Sequence, residues 1–169
     1  MKVLQVIAHP DLTHKSFTGQ LATAFRAGAE SSGHSVITHN LYEPQWLPSK
    51  ADFKSLILQA DHINFAWPCL WEMPPAPMVD FFQTVFIKDF AFTLVGTHMK
   101  PALNIPVSVL ISMGQDKDLN TVNLSEAMSY CGLHPMFFLY KNVGPRLTSA
   151  LGGLYLDSAR RHGSQVQEN

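Results

Sequence analysis

The sequence predicts a three-layer α/β/α sandwich on a five-stranded, parallel, doubly wound sheet. Three observations lead there. Apolar runs of strand length recur along the chain, longer segments with helical spacing separate them, and the alternation continues almost to the last residues. Parallel strands need crossover connections, and the intervening segments have the length and apolar spacing of helices. The 169 residues suit one domain, expected to span 1–169, with a core that needs no disulfide.

The first strand is Val3 to Ala8, and a helix from Ser16 to Ser31 follows, with Phe17, Leu21, Ala24, Phe25 and Gly28 on one face. Ser35 to Thr38 with its continuation is the second strand, and Ala51 to Gln59 the second helix. Ile63 to Trp67 (INFAW) is short, apolar and aromatic, as a buried strand is, and Met78 to Phe90 reads as the next helix. Val107 to Ser112 (VSVLIS), a helix from Leu124 to Cys131, the strand Met136 to Tyr140 (MFFLY) and a helix from Ala150 to His162 complete the order. In an open sheet of this kind ligands sit beyond the carboxyl ends of the strands, so the loops after Ala8, Trp67 and Ser112 are the candidate site.

Composition narrows the partners. Twelve basic and thirteen acidic residues give a net charge of −1, and no Lys/Arg cluster exceeds Arg160-Arg161, so nucleic acid and anionic membrane surfaces are not expected partners. Charged residues are only 15% against 46% hydrophobic, which suggests broad buried surface, including a subunit interface. Cys69 and Cys131 form no CxxC and no secreted-type framework, so buried thiols in a reducing compartment are expected. The opening MKVLQVIAHP is too short in apolar residues for a signal-peptide core or a membrane span, so a cytoplasmic protein is expected. Eight histidines without HExxH or a Cys/His cluster argue against a metal site. Gly28 to Ser35 (GAESSGHS) imitates a nucleotide-binding P-loop but follows a helix and precedes a strand, the reverse of the required order.

The first loop, VIAHPDLTHKSFTGQL, ends at a helix beginning near Ser16, whose unpaired N–H groups and positive dipole end suit a phosphate. Ser16 and Thr18 add hydroxyls, and His9 or His14 a ring N–H or a charge. The same residues also suit a plain helix cap with solvated histidines. The second loop, WPCLWEMPPAP, sets two tryptophans and four prolines after a buried strand, a stiff backbone and flat surfaces that suit a planar ring or a rigid contact with a neighbouring subunit. The third, Ser112-Met113-Gly114-Gln115-Asp116, carries one glycine where backbone can approach a ligand.

With AHP followed by SF and a helix, with LYEPQWLP after the second strand, and with ADHINFAWPCLWEMPPAPMVDFFQTVF running on into VFIKDFAF, the sequence resembles the NAD(P)H:quinone oxidoreductase family of flavodoxin-like flavoproteins. That family includes the ancillary oxidoreductases of bacterial potassium-efflux systems. The resemblance implies that His9, Ser16, Phe17 and Thr18 hold a flavin phosphate, that Pro68, Cys69, Leu70 and Trp71 line the isoalloxazine ring, and that Ser112, Met113, Gly114 and Gln115 supply N–H groups near its pyrimidine end. It further implies FMN, with FAD as the alternative, NAD(P)H as hydride donor, a quinone or similar small acceptor, and no protein nucleophile. A homodimer is expected, both from the family, whose active site lies between subunits, and from the apolar stretch VFIKDFAFTLVG, with Phe90 or Phe92 reaching the partner's flavin.

Several positions depart from the family pattern. Asn40 stands where an aspartate is usual, Glu72 where an aromatic residue is common, and Ser112-Met113-Gly114-Gln115 where the family has Thr-Thr-Gly-Gly. Val79, Gln83 and Thr84 replace a lysine and an acidic-basic pair on the following helix. The segment DKDLNTVNLSEAMS is short and lacks a Tyr and a His that cover the flavin in the family. Glu72, Gln115 and that short segment favour the alternative function, a catalytically weak or flavin-free regulatory or interaction subunit on the same scaffold.

Overall fold

The computed structural model describes residues 1–13, 16–145 and 147–166. Its main sheet has five parallel strands, β1 (Lys2–Ile7), β2 (Ser35–Asn40), β3 (His62–Pro68), β6 (Ile105–Ser112) and β7 (Leu133–Tyr140). They lie in the order β2-β1-β3-β6-β7, the doubly wound order of flavodoxin-like folds. The chain winds one way from β1 to β2 and the other way from β3 onward, which opens a crevice at the carboxyl ends of β1 and β3. Helices α1 (Phe17–Ser31) and α5 (Ser149–Ser164) cover one face, packing Leu21, Phe25 and Ala159 on Val3, Ile7, Ala66 and Leu110. The other face carries α2 (Lys50–Gln59), α3 (Ala76–Val85) and α4 (Val122–Tyr130), with Phe53, Ile57, Met78, Phe81 and Met128 on Val6, Phe65, Val109 and Ile111. No helix among the described residues is long and apolar enough to cross a membrane.

Helix boundaries follow local chemistry. Ser16 caps α1 by accepting the Gly19 N–H at 3.1 Å, Ser49 and Asp52 form a reciprocal capping box on α2, and Thr148 caps α5. Helices α1 and α5 meet backbone to backbone: a Cβ placed on Gly28 would lie 1.9 Å from the Arg160 carbonyl oxygen, and one on Gly163 2.0 Å from that of Phe25. Gly28, the first residue of the P-loop-like run, therefore serves this crossing. At the end of α1 near the crevice the contact is softer, with the Phe17 ring 3.7 Å from the position of a Gly152 Cβ.

The structure corrects one expected element and moves others. The helix expected over Met78 to Phe90 runs from Ala76 to Val85, and the chain then forms an antiparallel hairpin, β4 (Phe92–Val95) and β5 (His98–Pro101). Asp89 adopts a left-handed backbone (φ 66°), which no helix continues through, and Gly96 (φ 62°) takes the first central place of a two-residue turn. The apolar spacing through Phe90 and Phe92 thus belongs to a turn and a short ribbon. Strands β6 and β7 begin at Ile105 and Leu133, ahead of the expected Val107 and Met136, and so include Pro106 and Pro135. Pro135 sits on an edge strand and Pro106 precedes the pairing of β6 with β3, which starts at Val107, the places where a strand tolerates proline.

A buried polar row crosses the sheet on the α1 side. Thr38 donates to Gln5 Oε1 at 3.0 Å, Gln5 Nε2 donates to Asn64 Oδ1 at 2.9 Å, and Asn64 Nδ2 to the Ser108 carbonyl at 3.3 Å. His62 Nε2 lies 2.9 Å from Ser108 Oγ, while its buried Nδ1 has no partner among the described residues. Burial, with a smaller effect from the charge of His34, pushes the His62 pKa down to about 4.

Candidate functional site

The loops after β1, β3 and β6 converge with the loop after β7 on a hollow of about 670 Å3 at the carboxyl edge of the sheet, the size of a cofactor pocket. Its floor is the start of α1. The N–H groups of Phe17 and Thr18 have no carbonyl one turn back within the helix, and the first turn carries no acidic side chain to offset the dipole. His9 stands beside them. Its Nδ1 accepts the Asp11 N–H at 3.0 Å and lies 3.1 Å from Ser16 Oγ, which places the ring proton on Nε2, a donor without a partner among the described residues. Asp11 also lines the hollow, and its carboxylate accepts the Thr13 N–H at 2.7 Å.

Two contacts tie these parts together. The hydroxyls of Thr18 and Ser112 are 2.7 Å apart on residues 3% and 4% exposed, joining the start of α1 to the end of β6. Asn40, at the end of β2, reaches over β1 to the His9 peptide, its Nδ2 donating to the carbonyl at 2.9 Å and its Oδ1 accepting the N–H at 3.4 Å.

The wall after β3 is held by the Cys69 N–H donating to the Ser112 carbonyl at 2.8 Å. Beyond it Trp71 (φ 53°) and Glu72 (φ 65°) are the two left-handed residues of a tight turn, closed by hydrogen bonds of 3.0 and 2.9 Å between Leu70 and Met73. Both signs fit a type I′ turn, yet neither residue is glycine, so each carries backbone strain of about 1–2 kcal/mol. The turn displays the Trp71 side chain, 93% exposed. Glu72 pairs with Lys117 of the loop after β6, and that loop is moored again by Lys141 to Asp118 at 2.7 Å. Lys141 holds the Asp118 carboxyl below its ordinary pKa, and burial pushes the Cys69 thiol up.

A second hollow of about 590 Å3 adjoins the first and shares Cys69, Leu70, Met113 and Gly114 with it. The expected site residues divide between the two. His9, Ser16, Phe17, Thr18, Pro68, Cys69, Leu70, Ser112, Met113 and Gly114 line the first, whereas Trp71 and Gln115 line only the second, with Glu72 and Lys117. His14, the other expected donor, lies outside the described residues. Sequence reasoning missed Asp11, Gln20, Val143, Gly144 and Leu147 on the first hollow. The last three follow β7, and the carboxyl-edge rule applied to Tyr140 finds them.

The residues present fit a flavin monophosphate. The Phe17 and Thr18 N–H groups, which have no partner among the described residues, the His9 ring N–H and the Ser16 hydroxyl would face its phosphate, and apolar Leu70, Met113 and Val143 would line the rest. The comparisons agree in fold. A solved protein from Streptococcus mutans UA159, Smu.1420, superposes with a TM-score of 0.85 at 19% identity over 98% of this chain and all of that one. The NAD(P)H:quinone oxidoreductase from Methanothermobacter marburgensis matches with a TM-score of 0.83 at 22% identity, over 99% of each chain. The FMN-dependent NADH-azoreductase from Bacillus anthracis str. Ames Ancestor, solved in complex with FMN, matches with a TM-score of 0.80 at 14% identity, over 97% of this chain and 98% of that one. No protein of curated function matches the sequence significantly. The family model described as "Flavodoxin-like fold" matches residues 1–150, and with the sheet order and crevice above it shows that the chain belongs to that flavodoxin-like family.

Proposed function

We propose that this protein is an FMN-dependent oxidoreductase that takes hydride from NAD(P)H and passes two electrons to a quinone or similar small acceptor, working as a cytoplasmic homodimer of one-domain subunits. One observation carries the reading: the start of α1, with no acidic residue in its first turn and with the N–H groups of Phe17 and Thr18 unpartnered among the described residues, opens beside His9 and Ser16 into a hollow of cofactor size. A bound flavin supplies the hydride-accepting ring. The chain binds and orients: α1 and His9 take the phosphate, Pro68 to Leu70 support one side of the ring, and Met113 with Gly114 line its other end. The second hollow, under Trp71, is where a nicotinamide or an aromatic acceptor stacks in turn. The quinone reductase and the FMN-dependent azoreductase among the structural neighbours support flavin and nicotinamide use, and the latter favours FMN over FAD.

A second reading, a regulatory or interaction subunit without turnover, is favoured by the Glu72–Lys117 pair, which straps the second hollow where a stacked substrate belongs. Flavin uptake and stopped-flow reduction separate the two. The oxidoreductase reading expects flavin bands after reconstitution, bleaching by NADH or NADPH, and reoxidation by a quinone. Ser16→Ala and His9→Ala are each expected to weaken FMN binding by about 1.5–3 kcal/mol, the scale of one charge-assisted hydrogen bond. A flavin-loaded protein that neither nucleotide bleaches leaves the regulatory reading standing.

A further inference from the structure

The least conventional contact at the first hollow is made by a residue that does not line it. Asn40 is 6% exposed and ends the edge strand β2, opposite Ile7 of β1. Its carboxamide uses all its capacity. Nδ2 donates to the His9 carbonyl at 2.9 Å and towards Glu43 Oε1 at 3.4 Å, while Oδ1 accepts the N–H of His9 at 3.4 Å and of Tyr42 at 3.3 Å. The His9 peptide is therefore held at both its donor and its acceptor. From that peptide the ring reaches Asp11 and Ser16, so the set of the loop and the aim of Nε2–H trace back to one side chain on another strand.

We propose that Asn40 is a positioning residue for the anion-binding loop, and that with Glu43 beside it this position takes an amide in place of the aspartate usual in the family the chain resembles, because a second carboxylate there disorders His9. This rests on the reading of the first hollow as a phosphate cradle. The chemistry is one of donors. An ionised carboxylate in place of the amide has no hydrogen to offer, so its second oxygen would face two acceptors, the His9 carbonyl and the Glu43 carboxylate. Lone-pair and charge repulsion would open the clamp, and the same repulsion would raise the pKa of the introduced carboxyl, so that mild acid restores a donor. The titratable groups facing this point are Glu43 on its own loop and His9 on the loop after β1. His39, next in sequence, packs instead against Phe53 of α2, with ring centres 5.4 Å apart.

The test uses the full chain and Asn40→Asp, with two readouts. Long-range nitrogen–proton spectra of the His9 ring, recorded without flavin at about pH 8, are expected to show one Nε2–H tautomer in the wild type and a mixture in the variant. FMN titration is expected to show binding about tenfold weaker in the variant than in the wild type at about pH 8, the scale of one buried hydrogen bond left unmade, with the ratio closing towards one at about pH 5. The wild type measured in parallel removes the pH dependence common to both proteins. A His9 ring that stays fixed in the variant overturns the proposal, as does an affinity ratio that does not change with pH. A wild type that takes up no FMN, with His9 still released by Asn40→Asp, defeats the flavin reading and upholds the positioning role. If Asn40→Asp does not fold at pH 8, Asn40→Ser removes the clamp without adding charge, and a fixed His9 ring there is equally fatal.

Discussion

Thr18→Val probes the hydroxyl pair that joins α1 to the end of β6. Valine keeps the branched shape of threonine, so the substitution removes one oxygen and little else. Thr18 Oγ1 and Ser112 Oγ are 2.7 Å apart, both residues are buried, and neither hydroxyl has another partner among the described residues. The variant leaves Ser112 Oγ buried and unpaired, at a cost of about 1–3 kcal/mol. For a chain of this length each kcal/mol lowers the melting temperature by about 2–4 °C, which sets a fall of roughly 2–12 °C. Deleting both hydroxyls, as Thr18→Val with Ser112→Ala, strands nothing and is expected to cost under about 1 kcal/mol, so the double variant is more stable than the worse single one. Urea unfolding of the four proteins without flavin gives the cycle from midpoints at constant slope. Single variants that each cost less than about 0.5 kcal/mol, adding simply in the double, would refute the reasoning.

Gly28→Ala drives a methyl into the Arg160 carbonyl and is expected to cost about 3 kcal/mol by thermal melting, whereas Gly153→Ala, on the other helix with open space around it, stabilises by about 0.5–1 kcal/mol. His62 is held neutral in the fold, its pKa lowered from the ordinary 6.5 to about 4, so the unfolded chain binds the extra proton between those values. Its contribution is complete above pH 6.5 and falls by about 3 kcal/mol as the pH drops to about 4. Urea midpoints across that window are expected to flatten in His62→Asn. Trp71→Asn relieves a left-handed tryptophan that is almost wholly exposed and is expected to raise stability by about 0.5–1 kcal/mol while weakening turnover of aromatic acceptors; a lower melting temperature would contradict the strain argument.

What the sequence made legible was the part governed by period and order. Five apolar runs alternating with helical spacing are enough for the sheet, and the carboxyl-edge rule then picks out three of the four loops that form the hollow. The hairpin after Val85 escaped because Phe86, Phe90 and Phe92 keep a helical apolar spacing, while the left-handed turn at Asp89 that ends it carries no local signal. Prolines hid the first residues of β6 and β7, since strand periodicity gives no warning of an edge. Asn40 is visible in sequence only as an unexpected amide. Its partner is 31 residues away, and only the register of β2 on β1 brings the two together.

The glycine crossing of α1 and α5 gives the hollow a pivot. Backbone meets backbone at Gly28 and Gly163, with no side chain between to yield, while at the other end of α1 the Phe17 ring packs on Gly152 and Tyr155 of α5. Helix α1 is thus a rod pinned at its far end, and the eleven residue steps from Gly28 to Phe17 make a lever arm of about 16 Å. A rotation of about 5° at the pivot sweeps the N–H groups of Phe17 and Thr18 through about 1.4 Å, half the length of a hydrogen bond. The aim of the Phe17 and Thr18 N–H groups therefore depends on the opposite side of the molecule, on the last two turns of the final helix, as well as on the hydroxyl pair with Ser112 beside them.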